Sequence, residues 1–402
     1  MSVEPTETPK IALVLSGGGA RAAYQVGVLR AIAHMLPKDA RNPFKIICGT
    51  SAGAFNAIGV AMAAKQFRNG ICRLDYLWKN LTPDKIYRTD FMSVSSHIWH
   101  WILSILLGGF GKHNPRSLLD NAPLRVLLEK NFDLAGLETA IESGSLHALA
   151  VTVSGLTSGQ SVTFFQGQTT LAGWNRVHRL GVPNKIVIDT IMASSAIPFV
   201  FPAVHLNREY FCDGSIRQTA PISPALHLGA DKVLVVGVSR QIRSNPERIK
   251  STGYPSMAQV IGHLLNSVFL DGMAADLERL ERVNRTVQLI PQQTKDETNF
   301  MLHQVDVQVI HPSRDLDEVA SRHVHRFPPM IRFLLRGLGG LRRRGSVLAS
   351  YLLFDKHYTR ELIRLGYDDT MKQKDDILRF LNHAEPSPAT HAQSQAVAAE
   401  MD

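Results

Sequence analysis

The sequence predicts an α/β fold with a mostly parallel central sheet and a helical C-terminal extension. Two observations predict it. In the first sixty-odd residues short apolar runs alternate with Ala- and Leu-rich runs of helical length, the order that lays helices on a parallel sheet. After about residue 313 the chain becomes helical and basic.

IALVLS (11–16) is short and apolar and reads as a buried strand. Residues 19–35 read as a mostly buried helix, FKIICG (44–49) as a second strand and SAGAFNAIGVAMAA (51–64) as a second helix. LHALAVTVSG (146–155) and SVTFFQG (161–167) read as strands of a hairpin. IVIDTIMASSAIP (186–198) reads as a helix stopped by Pro198. REYFCDG (208–214) reads as a strand ending in a turn. KVLVVGVS (232–239), RTVQLIP (285–291) and VDVQVIHPS (305–313) read as further strands, with a long helix over 256–284. No internal repeat is present.

The bulk numbers exclude several classes. A chain of 402 residues that is 45% hydrophobic can build a core without disulfide staples. Cys48, Cys72 and Cys212 are odd in number and widely spaced, so they suggest neither a disulfide framework nor a zinc site, and they fit a reducing, cytoplasmic setting. MSVEPTETPK does not resemble a secretory signal, and no apolar run reaches the roughly 18 residues a membrane span needs. A net charge of +9 over this length is modest and gives no sign of a nucleic-acid partner. No cofactor or metal is expected, and oligomeric state is not legible.

The chemistry concentrates in three places. ICGTSAGAFNA (47–57) holds Gly49-Thr50-Ser51-Ala52-Gly53 between a strand and a helix, the context of a nucleophile elbow. There a serine sits on a sharp turn at a helix N-terminus, with glycines relieving the crowding and the dipole favouring negative charge. The competing reading is a serine N-cap on an ordinary strand-to-helix turn. Gly17, Gly18 and Gly19 end the preceding strand. Adjacent parallel strands deliver their carboxyl ends to one edge, so glycine N–H groups are expected to face an oxyanion beside Ser51. Arg21 adds charge beside that loop, braces it, or forms a structural ion pair. A serine needs a base, and Asp213, at a strand end before Gly214, is the candidate. Its competing reading is an Asp-Gly turn.

GGGAR, GTSAG and DG, in this order and spacing, resemble the patatin-like phospholipase family, as does ASSAIPFVFP (193–202) ahead of the aspartate. By motif the resemblance covers roughly residues 10–225. SYLLFD (350–355) is similar to the tail of bacterial members. The resemblance implies a three-layer α/β/α fold and hydrolysis of fatty acyl esters of lipids or phospholipids through an acyl-enzyme. In it Ser51 is the nucleophile and Asp213 the base, without histidine or metal. Gly17, Gly18 and Gly19 form the oxyanion loop with Arg21 as their companion. Ala22 and Ser215 stand where the family commonly has glycine or alanine. The implied organisation is a tail at 1–9, a catalytic domain at 10–313, a basic helical extension at 314–383 and a disordered tail at 384–402.

Two segments suit a lipid surface. HIWHWILSILLGGFG (97–111) reads as a lid, an interfacial element or a core helix. RFPPMIRFLLRGLGGLRRRG (326–345) interleaves apolar residues with arginines, which suits peripheral contact with an anionic membrane. Three rival readings fit less well. A dinucleotide fingerprint over Gly17, Gly19 and Ala22 lacks the acid that should end the second strand. A histidine triad drawing on His311, His323 or His325 fits the very early serine poorly. An inactive lipid-binding scaffold is at odds with the presence of both Ser51 and Asp213.

Overall fold

The computed structural model describes residues 9–90, 99, 117–240, 254–291, 303–340 and 346–382. Among them ten strands form one sheet: β1 Ile11–Leu15, β2 Ile46–Thr50, β3 Ala148–Gly155, β4 Ser161–Gly167, β5 Trp174–Arg176, β6 Arg179–Pro183, β7 Val204–Leu206, β8 Glu209–Asp213, β9 Lys232–Val236 and β10 Asp306–Ile310. The order is β10-β9-β1-β2-β3-β4-β6-β5, with β8 on β3 and β7 on β8. The block from β10 to β3 is parallel throughout. The β3–β4 pair is the expected antiparallel hairpin.

The helices are α1 Ala23–Met35, α2 Ala52–Met62, α3 Phe67–Lys79, α4 Ala122–Asn131, α5 Ala135–Glu142, α6 Ile188–Ser194, α7 Ser223–His227, α8 Met257–Asn266 and α9 Gly272–Leu289. The C-terminal region adds α10 Leu316–Ser321, α11 Pro329–Gly337, α12 Ser346–Leu352, α13 Lys356–Met371 and α14 Lys374–Asn382. Side chains alternate across the central strands, so each face buries its own set. Leu13, Leu15, Ile47, Leu149 and Leu234 enter the larger core, shared with α1, α2, α3 and the C-terminal helices. Ala12, Val14, Ile46, Cys48 and Val235 enter the smaller one, with residues of α7 and α9. Helices on both faces of a mostly parallel sheet make the three-layer arrangement.

The C-terminal region is fused to the first core. A Cβ on Gly27 of α1 would lie 2.1 Å from the carbonyl of Ile363, and one on Gly366 of α13 would lie 2.2 Å from that of Tyr24. Glycine at both crossings lets the two helix backbones meet.

One reading is corrected. Residues 285–291 do not form a strand: α9 runs through them to Leu289. R-T-V-Q-L-I alternates like a strand, but Met273, Asp276, Leu280 and Val287 bury at helical spacing, and no proline intervenes before Pro291. The long helix expected over 256–284 is α8, a π-turn at Ser267–Asp271, and α9. Helix α6 ends at Ser194, ahead of Pro198. The segment 97–111 (Trp99 apart), Arg342, Arg343, Arg344 and the tails 1–8 and 384–402 lie outside the described residues.

Candidate active site

Sheet register brings the chemistry together. β1 and β2 run in parallel with Leu15 opposite Gly49, so the glycine run and the Ser51 turn leave the sheet at one edge. β2 ends at Thr50, opposite Thr152 of β3. β3 continues to Gly155, and β8 takes over the freed edge from the other direction, with Asp213 opposite Val153. The end of β2 and the end of β8 therefore point at each other. Ser51 Oγ donates to Oδ2 of Asp213 at 2.5 Å. Both are buried, at 2% and 0% exposure.

Ser51 takes φ 56° and ψ −130°, on the left-handed side that costs a non-glycine residue about 1–3 kcal/mol. The turn is held from several directions. The Ser51 N–H donates to Oγ of Ser194 at 2.8 Å, and that hydroxyl donates to the Thr152 carbonyl at 2.7 Å. A Cβ on Gly53 would meet the Leu15 carbonyl at 2.2 Å, and one on Gly49 would meet Cα of Ala54 at 2.6 Å. Glycine at both positions lets the start of α2 press against the strand ends.

Burial pushes the Asp213 carboxyl up to about 6, while hydrogen bonds from the Ser51 hydroxyl and from the amide and hydroxyl of Ser215 pull it back. The Ser215 N–H reaches Oδ1 at 3.0 Å. A Cβ on Gly17 would lie 2.5 Å from Ser215 Oγ, so the glycine loop passes close over the aspartate's own turn. Gly19 has φ 55° and, with Ser51, lines a cleft whose walls include Phe55, Trp78, Phe201, Leu352 and Phe354. Its free volume is about 40 Å³.

Arg21 does not point into this cleft's chemistry. Its guanidinium is paired with Asp317 and Ser350 and stacked on Tyr351. Of the histidines weighed for a triad, His311 faces the carbonyl of Ser239 and His323 the carboxylate of Glu361. Sequence reasoning missed Ser194 and Ser215. Ser194 stood inside ASSAIP without any sign that it would reach the Ser51 amide, and Ser215 was read only as a small replacement. Among the described residues no group of three or more His, Cys, Asp or Glu side chains is placed to hold a metal ion, and no helix is long and apolar enough to cross a membrane.

A sequence model described as Patatin-like phospholipase matches residues 13–226. A cGAMP-activated phospholipase of Pseudomonas aeruginosa (strain BWHPSA011 / Pa011) is 27% identical over 225 residues, covering 54% of this chain and 55% of its own. The chain thus spans about half the length of that curated relative. Among solved structures, VipD from Legionella pneumophila is 14% identical with a TM-score of 0.36, covering 92% of this chain and 67% of its own. Human GIVD cytosolic phospholipase A2 is 12% identical with a TM-score of 0.45, at 94% and 61% coverage.

Proposed function

The chain belongs to the patatin-like phospholipase family, and we propose that it is a serine acyl hydrolase cleaving fatty acyl esters of lipids or phospholipids through a Ser51–Asp213 dyad. The observation that carries the reading is the buried 2.5 Å hydrogen bond from Ser51 to Asp213 on a strained strand-to-helix turn. Asp213 accepts the hydroxyl proton as Ser51 Oγ attacks the ester carbonyl. The carbonyl oxygen takes up the negative charge, and N–H groups of Gly17, Gly18 and Gly19 donate to it. The C–O bond breaks, and the alcohol leaves with the proton held on Asp213. Water then attacks the acyl-enzyme, again giving its proton to Asp213, and the fatty acid departs as Ser51 recovers its hydrogen.

An aspartate of ordinary acidity, about 3.9, is a poor base for a hydroxyl. Burial of Asp213 raises its proton affinity towards the working pH while leaving it ionised near neutrality. The apolar walls of the cleft suit the acyl chain. Residues 10–313 form the catalytic unit in this reading, and the helical extension at 314–383 closes one side of the cleft through Leu352 and Phe354.

The enzyme works in the cytoplasm and meets its substrate at an anionic membrane surface. Met257, Val260 and Leu264 recur at helical spacing along the exposed side of α8, and Phe333 stands exposed on α11 between Arg332 and Arg336. Apolar side chains beside arginines suit that surface.

The test is reaction with a fluorophosphonate probe, followed by peptide mapping, alongside hydrolysis assays. Ser51 carries the label, and Ser51→Ala loses hydrolysis by about 10⁴-fold or more. Asp213→Asn loses it severely. Hydrolysis at the wild-type rate in either purified variant overturns the assignment.

A further inference from the structure

Between Ser16 and Tyr24 the chain reads GGGARAA, and Arg21 carries its one side chain larger than a methyl group. Oxyanion donors must be held within about 0.5 Å of their working positions. Three consecutive glycines have no side chains with which to fix themselves, so the anchor has to come from the next residues. The Arg21 N–H closes the turn onto the Gly18 carbonyl at 3.1 Å, and its side chain runs into a buried network. Nε donates to Ser350 Oγ at 2.8 Å, and Nη2 donates to the Asp317 carboxylate and to Asn266 Oδ1 at 3.4 Å. The guanidinium carbon sits 3.9 Å above the centre of the Tyr351 ring. The Ser350 hydroxyl, with one hydrogen, lies 2.8 Å from the Asp317 carboxylate and 2.6 Å from the Val347 carbonyl, and the Tyr351 hydroxyl donates to Asn266 at 2.9 Å. The backbone is held too: a Cβ on Gly19 would lie 2.2 Å from the Tyr351 carbonyl.

Each partner of the Arg21 side chain lies outside residues 13–226, the segment that matches the family. Arg21 is 2% exposed, and its charge is paired with Asp317, whose side chain is 19% exposed. A buried ion pair is an expensive way to join two elements, since apolar side chains of similar size link them at lower desolvation cost. What the pair adds is directional restraint, with a forked donor fixed by an ion pair, a hydroxyl and an aromatic face at once.

We propose that Asp317, with Ser350 and Tyr351, is a positioning residue for acyl transfer: it clamps Arg21, and through it the Gly17–Gly19 loop, in the register that receives the oxyanion. This rests on the reading of Ser51 as nucleophile. The C-terminal helices are then part of the catalytic apparatus, and Arg21 acts by geometry.

The test uses the full chain and a soluble aryl ester, with Arg21→Ala, Asp317→Ala and the double variant. Each single change is expected to lower kcat by about 10²-fold, the scale of losing or misplacing an oxyanion donor, with KM within about threefold. The double variant is expected to be no worse than Arg21→Ala alone, because both remove one clamp. Asp317→Glu is expected to recover part of the loss. Asp317→Asn, which keeps the shape, and Ser350→Ala serve where Asp317→Ala fails to fold, thermal melting being the check. The rate of fluorophosphonate labelling separates the two ideas. No labelling at Ser51 in the wild type overturns the nucleophile and the clamp together. Wild-type labelling with an unchanged rate and kcat in the Asp317 variants, or losses that multiply in the double variant, overturns the clamp alone.

Discussion

Ser51 Oγ donates to Oδ2 of Asp213 at 2.5 Å across 162 residues of sequence. The contact exists because β3 outruns β2 and β8 fills the vacated edge, so two strand ends meet head-on. A contact set by strand register is held by the sheet itself.

The pH dependence of hydrolysis follows from Asp213. Its carboxyl is pushed up to about 6 by burial, and only the ionised form accepts a proton. kcat/KM on a soluble ester is expected to rise with pH, reach half its plateau near 6, and stay level through neutrality. A profile flat from pH 5 to 8 contradicts Asp213 as the base.

Ser215 tunes that limb. Its hydroxyl stabilises the ionised carboxylate, so Ser215→Ala is expected to raise the Asp213 pKa and move the acidic limb of kcat/KM to higher pH. A limb that stays in place or moves to lower pH refutes the role.

Stability carries the opposite sign to activity. A carboxyl whose folded pKa, about 6, lies above its ordinary value of 3.8 holds a proton in the native state that the unfolded chain releases between those values. Its contribution is fully present below about pH 4 and is lost as pH rises through about 6. Asp213→Asn is therefore expected to stabilise the fold by on the order of 2–3 kcal/mol above pH 6, and not at all near pH 4. Thermal melts of both proteins at pH 4 and pH 7.5 check it. An equal difference at the two pH values counts against the burial of an ionised Asp213.

Gly53 has no room for a side chain. Gly53→Ala drives a methyl group to 2.2 Å from the Leu15 carbonyl, backbone that cannot swing aside. We expect a loss of about 3 kcal/mol in a denaturant melt and the disappearance of Ser51 labelling. Gly337→Ala is the control, since no described residue lies within 4 Å of its Cβ, and it is expected to leave labelling unchanged.

What was legible in the sequence is what is written locally. Ser51 and the glycines around it announce themselves through a strand, a turn and a helix within a dozen residues, and Asp213 through a strand ending in Asp-Gly. The alternation of strand and helix set the parallel block from β10 to β3. Pairings over long separations were not legible. Nothing in VTVSG (151–155) says that its far end accepts β8, and nothing near Arg21 names Asp317, 296 residues on. Residues 285–291 misled because a two-residue alternation and the end of an amphipathic stripe look alike over seven positions. Helix α3 carries a stripe at helical spacing, Phe67, Ile71, Leu74 and Trp78, that sequence reasoning passed over, while the short strands β5 to β7 carry too little pattern to be read.

β1 lies inside the sheet, flanked by β2 and by β9, and the turn after it is tied to Ser350, 329 residues away. During translation, β1 cannot complete its own neighbourhood until α12, more than 300 residues later, has been made. Long-range pairing of this kind is slow, because closure entropy is spent before contacts return it. A nascent chain therefore already carries Ser51 and the glycine loop before the Arg21 anchor exists, and, if Ser51 is the nucleophile, a truncated product ending before α12 is expected to take no fluorophosphonate label.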